Sequence, residues 1–142
     1  MAEIVTLTRR PSGLLSLADA LLVSDGLRRG GLAVLPTETG YMLAARACDE
    51  AAVLRAFEVK RRDPAQPMHV ACGSLEMARR FAVLSAAAER VMGAFTPGPV
   101  TVVAPKKEPL PDRLVTLRGT VGLRIPDCAA TLQVVLALGE PI

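Results

Sequence analysis

The sequence has few aromatic residues and a single histidine. Its 142 residues include no tryptophan, one tyrosine and three phenylalanines. So sparse a set provides no row of aromatic side chains on which a single-stranded nucleic acid could stack. The only histidine, His69, lies in an apolar stretch, where we predict a core or edge residue rather than a catalytic base. With one histidine a multi-histidine metal site is excluded, and we set aside the usual Ser-His-Asp and Cys-His catalytic pairs.

Cysteine is scarce as well. The three cysteines, Cys48, Cys72 and Cys128, are odd in number and contain no C-x-x-C pair. This pattern argues against both a disulfide framework and a cysteine zinc site. We therefore predict free thiols and a cytosolic protein.

Neither a large charge excess nor a long apolar run is present. Seventeen Lys and Arg against fourteen Asp and Glu give a net charge of +3, which is too small to identify a nucleic-acid-binding protein by itself. No apolar run reaches the ~18 residues of a membrane span. The N-terminus lacks the basic region of a signal peptide. We expect a cytoplasmic protein with no membrane partner.

Aliphatic residues dominate the composition, and 51% of the sequence is hydrophobic. The eleven Gly and eleven Pro are scattered singly along the chain, as residues that form turns are. A single domain over residues 1–142 is expected at this length. Short apolar runs predict strands at 32–35, 68–72, 100–103 and 121–125. Helical spacing and capping residues predict helices at 16–29, 49–60, 74–81, 85–95 and 129–138. This alternation predicts an α/β domain with a mixed, largely covered sheet.

The first motif that could carry chemistry is P-T-E-T-G-Y at 36–41, which we predict to lie just past the end of a strand. Open α/β sheets bind ligands beyond the carboxyl ends of their strands. The hydroxyls of Thr37 and Thr39 could therefore contact a polar substrate. Alternatively, these residues form only a turn. We expect Glu38 to be an exposed loop residue.

A basic run, K-R-R at 60–62, follows the second predicted helix. Cations at a helix C-terminus interact favourably with the macrodipole and are usually solvated. Alternatively, the chain extends beyond the helix, so that Lys60 and Arg62 share one face and point together at a phosphate. An ammonium and a guanidinium suit a nucleoside triphosphate, although the sequence has neither a P-loop nor a G-x-G-x-x-G motif.

Arg124 interrupts the apolar strand predicted at 121–125. A charge in such a strand is costly unless an anion pairs with it. That anion is either a substrate carboxylate or phosphate, or a structural Asp or Glu, and the sequence leaves both possibilities open. The other basic residues between 105 and 124 are predicted to be solvated.

Taken in this order and spacing, the motifs resemble the YrdC/Sua5 family. The resemblance is carried by L-P-T-E-T-G-Y at 35–41, K-R-R at 60–62, P-G-P-V-T at 97–101 and T-V-G-L-R-I-P at 120–126. It extends over about residues 30–142. The resemblance implies an α/β fold in which a twisted mixed sheet with flanking helices surrounds a basic concave cavity.

The same resemblance implies the activity of a threonylcarbamoyl-AMP synthase. Such enzymes join L-threonine, bicarbonate and ATP, used with Mg²⁺, into threonylcarbamoyl-adenylate and release pyrophosphate, for the modification of adenosine 37 in tRNA. Further partners implied are tRNA or another double-stranded RNA and a transferase protein.

Site residues follow from the resemblance by position. The implied ATP-binding residues are Lys60, Arg62, Gln66 and Thr120. Of these, Lys60 and Arg62 would also be catalytic, neutralising charge that develops on the phosphates. Thr39 would contact threonine, and Arg124 would bind the threonine carboxylate.

The sequence departs from the family pattern at several positions. Gly40 stands where the family commonly has a valine, and the loop glycine is displaced. Ala71 stands where some members carry a threonine-contacting histidine, for which His69 could substitute because it lies on the same strand face. Residues 140–142 resemble the start of one more strand, and the family continues there into an S-x-N segment that helps hold ATP. We therefore expect a domain that is incomplete after Ile142, with a non-catalytic RNA- or nucleotide-binding module as the alternative function.

Overall fold

The computed structural model describes residues 4–142, and residues 1–3 lie outside the description. The described chain alternates between strands and helices, as the sequence predicts. In chain order the elements are α1 (Leu17–Arg28), β1 (Ala33–Thr37), β2 (Gly40–Ala44), α2 (Glu50–Lys60), β3 (Val70–Ala71), α3 (Leu75–Phe81), α4 (Ala86–Phe95), β4 (Thr101–Pro105), a short 3₁₀ turn (Asp112–Leu114), β5 (Thr120–Arg124) and α5 (Ala129–Leu138).

Local capping explains where the helices begin and end. The first four helices each start after a side chain that accepts a hydrogen bond from a backbone amide three residues on, and these N-caps are Ser16, Asp49, Ser74 and Ser85. Such caps satisfy amide groups that have no partner inside the helix. At the other end of the domain, Gly139 adopts a left-handed conformation (φ 76°) and terminates α5. The predicted helix positions are confirmed.

The strands form two small sheets. β1 and β2 make an antiparallel hairpin, while β5 lies between β3, which runs parallel to it, and β4, which runs antiparallel. Alternate residues of β5 face the core, where Val121 and Leu123 are fully buried with Val134 and Val135 of α5. Helix α5 also packs against α1 and β1. The intervening residues of β5 therefore face away from this core, and Arg124 is one of them.

Two strand predictions need correction. The P-T-E-T-G-Y motif does not follow a strand end as one loop, because β1 continues through Pro36 and Thr37 and the unpredicted β2 begins at Gly40. Pro36 is tolerated because β1 is an edge strand in this two-stranded sheet. The strand predicted at 68–72 contains only Val70 and Ala71, and it stops there because its partner β5 ends at Arg124.

The last residues pair with the free edge of β3. The amide of Ile142 donates to the carbonyl of Ala71 (3.0 Å), and the amide of Ala71 donates to the carbonyl of Ile142 (2.6 Å). Reciprocal bonds of this kind are the mark of an antiparallel strand pair. The Arg46–Glu140 ion pair, at 2.5 Å, fixes the same segment from the other side.

Two further sequence expectations concern cysteines and membrane segments. All three cysteines are free, as predicted. Among the helices of residues 4–142, none has both the length and the apolar character needed to cross a bilayer.

Candidate functional site

A cleft of about 110 Å³, partly open to solvent, lies between β2, α2 and β3. Three of its lining side chains carry or can carry positive charge, namely Lys60, Arg62 and His69. Within the described chain, the rest of the lining is aliphatic or sulfur-containing, with no Asp or Glu. The cleft is therefore a concave surface on which cations face apolar walls, as an anionic ligand requires.

Lys60 and Arg62 reach this cleft by a tight turn. Lys60 is the last residue of α2, and Arg61 caps the helix in the left-handed conformation (φ 48°). The amide of Arg62 then donates to the carbonyl of Phe57 at 3.0 Å. One of the two interpretations left open by the sequence had the chain extend at this point, and that route is wrong. The turn nevertheless places both cations in the lining of one cleft.

The Arg62 guanidinium also organises the loop that follows. Its Nε donates to the carbonyl of Gln66 at 2.8 Å, and its Nη2 donates to the carbonyl of Pro67 at 3.2 Å. The Asp63 carboxylate accepts from the amide of Ala65 at 2.9 Å. Gln66 thus contributes its backbone to the loop, and its side chain does not line the cleft.

His69 connects the cleft to β5. It precedes β3 and packs beside Gly122, where the absence of a side chain leaves room for it. The pKa of His69 is lowered from its ordinary value of 6.5 by desolvation and by the positive charges of Arg124, Lys60 and Arg62. The imidazole is therefore neutral at pH 7. It can donate or accept a hydrogen bond with a ligand, while the neighbouring cations balance the negative charge of that ligand.

A second polar cluster lies where the tip of the β1–β2 hairpin meets the end of β5. Nη2 of Arg124 donates to the carboxylate of Glu38 and, at 2.9 Å, to Oγ1 of Thr39. Thr37 Oγ1 lies 3.1 Å from Thr39 Oγ1. The other Glu38 oxygen accepts from the amide of Asp127 at 2.6 Å. The structure thus brings Thr39 and Arg124 together.

Glu38 is an exposed residue of the hairpin turn, as we expected, but its carboxylate is held by Arg124 and by the Asp127 amide. Its side chain is only 21% exposed, against 13% for its partner Arg124. Burial by itself would raise the pKa of Glu38, but the hydrogen bonds from Arg124 and the Asp127 amide, with the charge of Arg124, hold that pKa below its ordinary value. Of the two anions that the sequence left open for Arg124, the ligand-free chain supplies the internal carboxylate.

Buried Thr131 holds this hairpin in place, and sequence reasoning did not identify it. Its hydroxyl donates to the carbonyl of Pro36 at 2.5 Å, and the residue is fully buried. The bond joins α5 to β1 and so fixes the position of the Thr37–Thr39 turn. The available signal was a hydroxyl residue within an otherwise apolar helix face.

Thr120 lies away from the Arg124 cluster at the hairpin tip. It begins β5, four residues from Arg124 and therefore about 13 Å along the strand. Its hydroxyl lies 2.7 Å from Thr116 Oγ1, and its side chain does not line the cleft. Neither the Gln66 nor the Thr120 side chain therefore lines the cleft with Lys60 and Arg62, although the Gln66 carbonyl accepts from Arg62.

The donor set does not fit a metal ion held by protein ligands. Residues 4–142 contain no group of three or more His, Cys, Asp or Glu side chains that could hold a metal. Carboxylates are the usual protein ligands of Mg²⁺, and the charged cleft residues are cations.

Fold and site together define an α/β domain with two neighbouring cationic positions, one in a cleft and one at a hairpin tip. The Sua5/YciO/YrdC family model, described as telomere recombination, matches residues 25–142. The chain belongs to the Sua5/YciO/YrdC family.

Known relatives support this assignment both by sequence identity and by structural superposition. A threonylcarbamoyl-AMP synthase of Pyrococcus abyssi is 37% identical over 117 residues, which are 82% of this chain and 34% of the relative. The structure of P. abyssi Sua5 complexed with L-threonine superposes with a TM-score of 0.90 and 31% identity, covering 98% of this chain and 40% of that one. Escherichia coli YciO superposes with a TM-score of 0.82 and 26% identity, covering 89% and 62%. The chain spans about a third to just over half the length of the curated relatives it matches.

Proposed function

We propose that this chain is an L-threonylcarbamoyladenylate synthase. The observation that carries the proposal is the presence of two cationic positions whose charges both act on His69. Lys60 and Arg62 line the cleft, and Arg124 with Thr39 lies at the hairpin tip. A reaction between a nucleoside triphosphate and an amino acid needs two such positions, one for phosphates and one for a carboxylate.

In the proposed reaction, the threonine amine first combines with bicarbonate to form a carbamate and water. A carbamate oxygen then attacks the α-phosphorus of ATP, and the bond from that phosphorus to the bridging oxygen breaks as pyrophosphate leaves. Negative charge develops on the phosphate oxygens during this step. Lys60 and Arg62 stabilise it from fixed positions in a cleft partly shielded from water.

The amino acid is held by the second position. Arg124 pairs with the threonine carboxylate, and the hydroxyl of Thr39 adds a hydrogen bond. The existing contact between Arg124 Nη2 and Thr39 Oγ1 supports a shared role for the two residues. Further support comes from the P. abyssi Sua5 structure, whose protein is complexed with L-threonine.

Other parts of the proposal rest on the family alone. Gln66 and Thr120 stay predictions from the family resemblance. Their side chains do not line the cleft, so the geometry of the cleft adds no support for a nucleotide contact. Mg²⁺ would accompany ATP and supply charge neutralisation at the phosphates. The adenylate would serve the modification of adenosine 37 in tRNA in the cytoplasm, with a transferase protein as its consumer.

The direct test is release of pyrophosphate from ATP in the presence of bicarbonate and Mg²⁺, with and without L-threonine. We expect threonine-dependent release that Lys60→Ala and Arg62→Ala each reduce at least tenfold. Arg90→Ala, which removes an exposed cation of α4, is the matched control and should leave the rate unchanged. Folded protein that binds ATP without releasing pyrophosphate would reject the enzyme and favour the non-catalytic nucleotide-binding module.

A further inference from the structure

The guanidinium of Arg124 is only partly satisfied. Its Nη2 donates to Glu38 and to Thr39. Its Nε is buried and, among the residues that the structure describes, has no hydrogen-bond partner. A buried N–H without an acceptor loses its hydration and gains nothing in return, so it destabilises the resting arrangement.

The geometry of a guanidinium indicates which kind of ligand would satisfy the unpaired Nε. Nε and Nη2 lie along one edge of the group, and a carboxylate that approaches this edge squarely accepts one hydrogen bond from each nitrogen. In the structure Glu38 accepts a hydrogen bond from Nη2 and none from Nε. It therefore engages one of the two nitrogens that a two-point carboxylate ligand would bond, and it leaves Nε without an acceptor.

Glu38 has a second anchor that does not involve Arg124. Its other oxygen accepts from the backbone amide of Asp127 at 2.6 Å. If the carboxylate moved off Arg124, this bond would hold the side chain beside the end of β5. Glu38 also lies in the hairpin turn next to Gly40, which has a positive φ of 136° and open space around its α-carbon, so the turn has room to adjust.

We propose that Glu38 is an internal placeholder for the substrate carboxylate, which displaces it from Arg124 on binding. This rests on the proposed function, because it takes L-threonine as the ligand of Arg124. In the free chain Glu38 neutralises a largely buried cation. In the complex the ligand bonds both Nε and Nη2, and Glu38 remains on the Asp127 amide. Glu38 thus sets the affinity for the amino acid by competing with it.

The test compares wild type with Glu38→Gln, which removes the charge and keeps the shape. Each protein is titrated calorimetrically with L-threonine and with threoninol, which lacks the carboxylate. We expect Glu38→Gln to bind L-threonine about fivefold more tightly, since partly exposed ion pairs have coupling energies of this order, and to bind threoninol no better than wild type. Glu89→Gln is the matched control, because it removes one carboxylate from the Arg79–Glu89 ion pair on α3 and α4 and should leave threonine binding unchanged.

A measurement on wild type alone covers the case in which Glu38→Gln does not fold. The Nε–H resonance of Arg124, assigned by its loss in Arg124→Lys, should shift and exchange more slowly with L-threonine and be unaffected by threoninol.

Three results distinguish the two proposals. Equal or weaker threonine binding by folded Glu38→Gln would overturn the placeholder and leave the proposed function standing, as would an equal gain in Glu89→Gln. Tighter binding of L-threonine alone supports both. Absence of threonine binding by both wild type and Glu38→Gln would overturn both.

Discussion

Replacing Arg62 by lysine keeps the positive charge of the cleft but removes the planar group that holds the neighbouring loop. In the structure, Nε and Nη2 of Arg62 donate to the carbonyls of Gln66 and Pro67. Lysine has a single nitrogen and cannot form both bonds with the same geometry. At about 0.5–1.5 kcal/mol for each hydrogen bond, we expect loss of the two bonds in Arg62→Lys to lower the free energy of unfolding by about 1–3 kcal/mol. This corresponds to a fall in Tm of roughly 4 °C per kcal/mol at this chain length.

The same substitution should weaken ATP binding although the net charge is unchanged. In the variant the lysine ammonium either bonds a single carbonyl or leaves the loop unheld, and in both cases its charge is less rigidly placed. We therefore expect about a tenfold loss of affinity for ATP, or ~1.4 kcal/mol. Urea denaturation and calorimetric titration with Mg²⁺-ATP measure the two effects. Lys60→Arg is the control, because it also exchanges one cation for another in the same cleft. Unchanged stability together with ATP affinity within twofold of wild type would refute this reasoning and show that Arg62 acts as a point charge.

Three further predictions concern single side chains. Thr131→Val leaves the Pro36 carbonyl without its 2.5 Å donor and should destabilise the chain by about 1–3 kcal/mol in urea denaturation; a result equal to that of Thr131→Ser, which keeps the hydroxyl, would contradict this. By NMR the pKa of His69 should lie below 6.5 and should rise in Lys60→Ala, because one of the positive charges that lower it is removed. Since the unfolded chain binds this proton more readily, the contribution of His69 lowers the stability of the fold as pH falls through 6.5. An unchanged pKa of His69 in the variant would show that the Lys60 charge does not act on the imidazole. Burial raises the pKa of Cys72 to about 12, so in native protein its thiol should react with iodoacetamide far more slowly than those of the other two cysteines, and equal rates would be incompatible with its burial.

The sequence predicted well those features that are encoded over a few neighbouring residues. Helix starts at Ser16 and Asp49 follow from caps whose side chains bond amides three residues away. For the basic run at 60–62 the sequence left two interpretations open, solvated cations at a helix end or Lys60 and Arg62 on one shared face. The route between them was mispredicted, because the left-handed turn at Arg61 is not apparent from its residue type.

Features that join distant segments were not predictable in the same way. The sequence showed that Arg124 requires an anion but could not choose between a ligand and an internal acid. That choice depends on Glu38, which is 86 residues away and is brought beside the end of β5 by the packing of the hairpin, to which the Thr131–Pro36 bond contributes. The β1–β2 pairing was missed for a related reason, since Pro36 signals a strand end unless the strand is known to lie at an edge.

The sequence by itself determined the α/β alternation, the helix limits, the family and the identity of the cationic residues, because caps, apolar periodicity and motif spacing act within one or two turns of chain. Tertiary structure alone decided that Lys60 and Arg62 face a cleft with His69, that Thr120 and Gln66 lie off its walls, and that Glu38 neutralises Arg124. The physical reason is that the partner of a buried charge is set by which segments pack against it. That packing is a property of the whole core and not of the residues beside the charge in sequence.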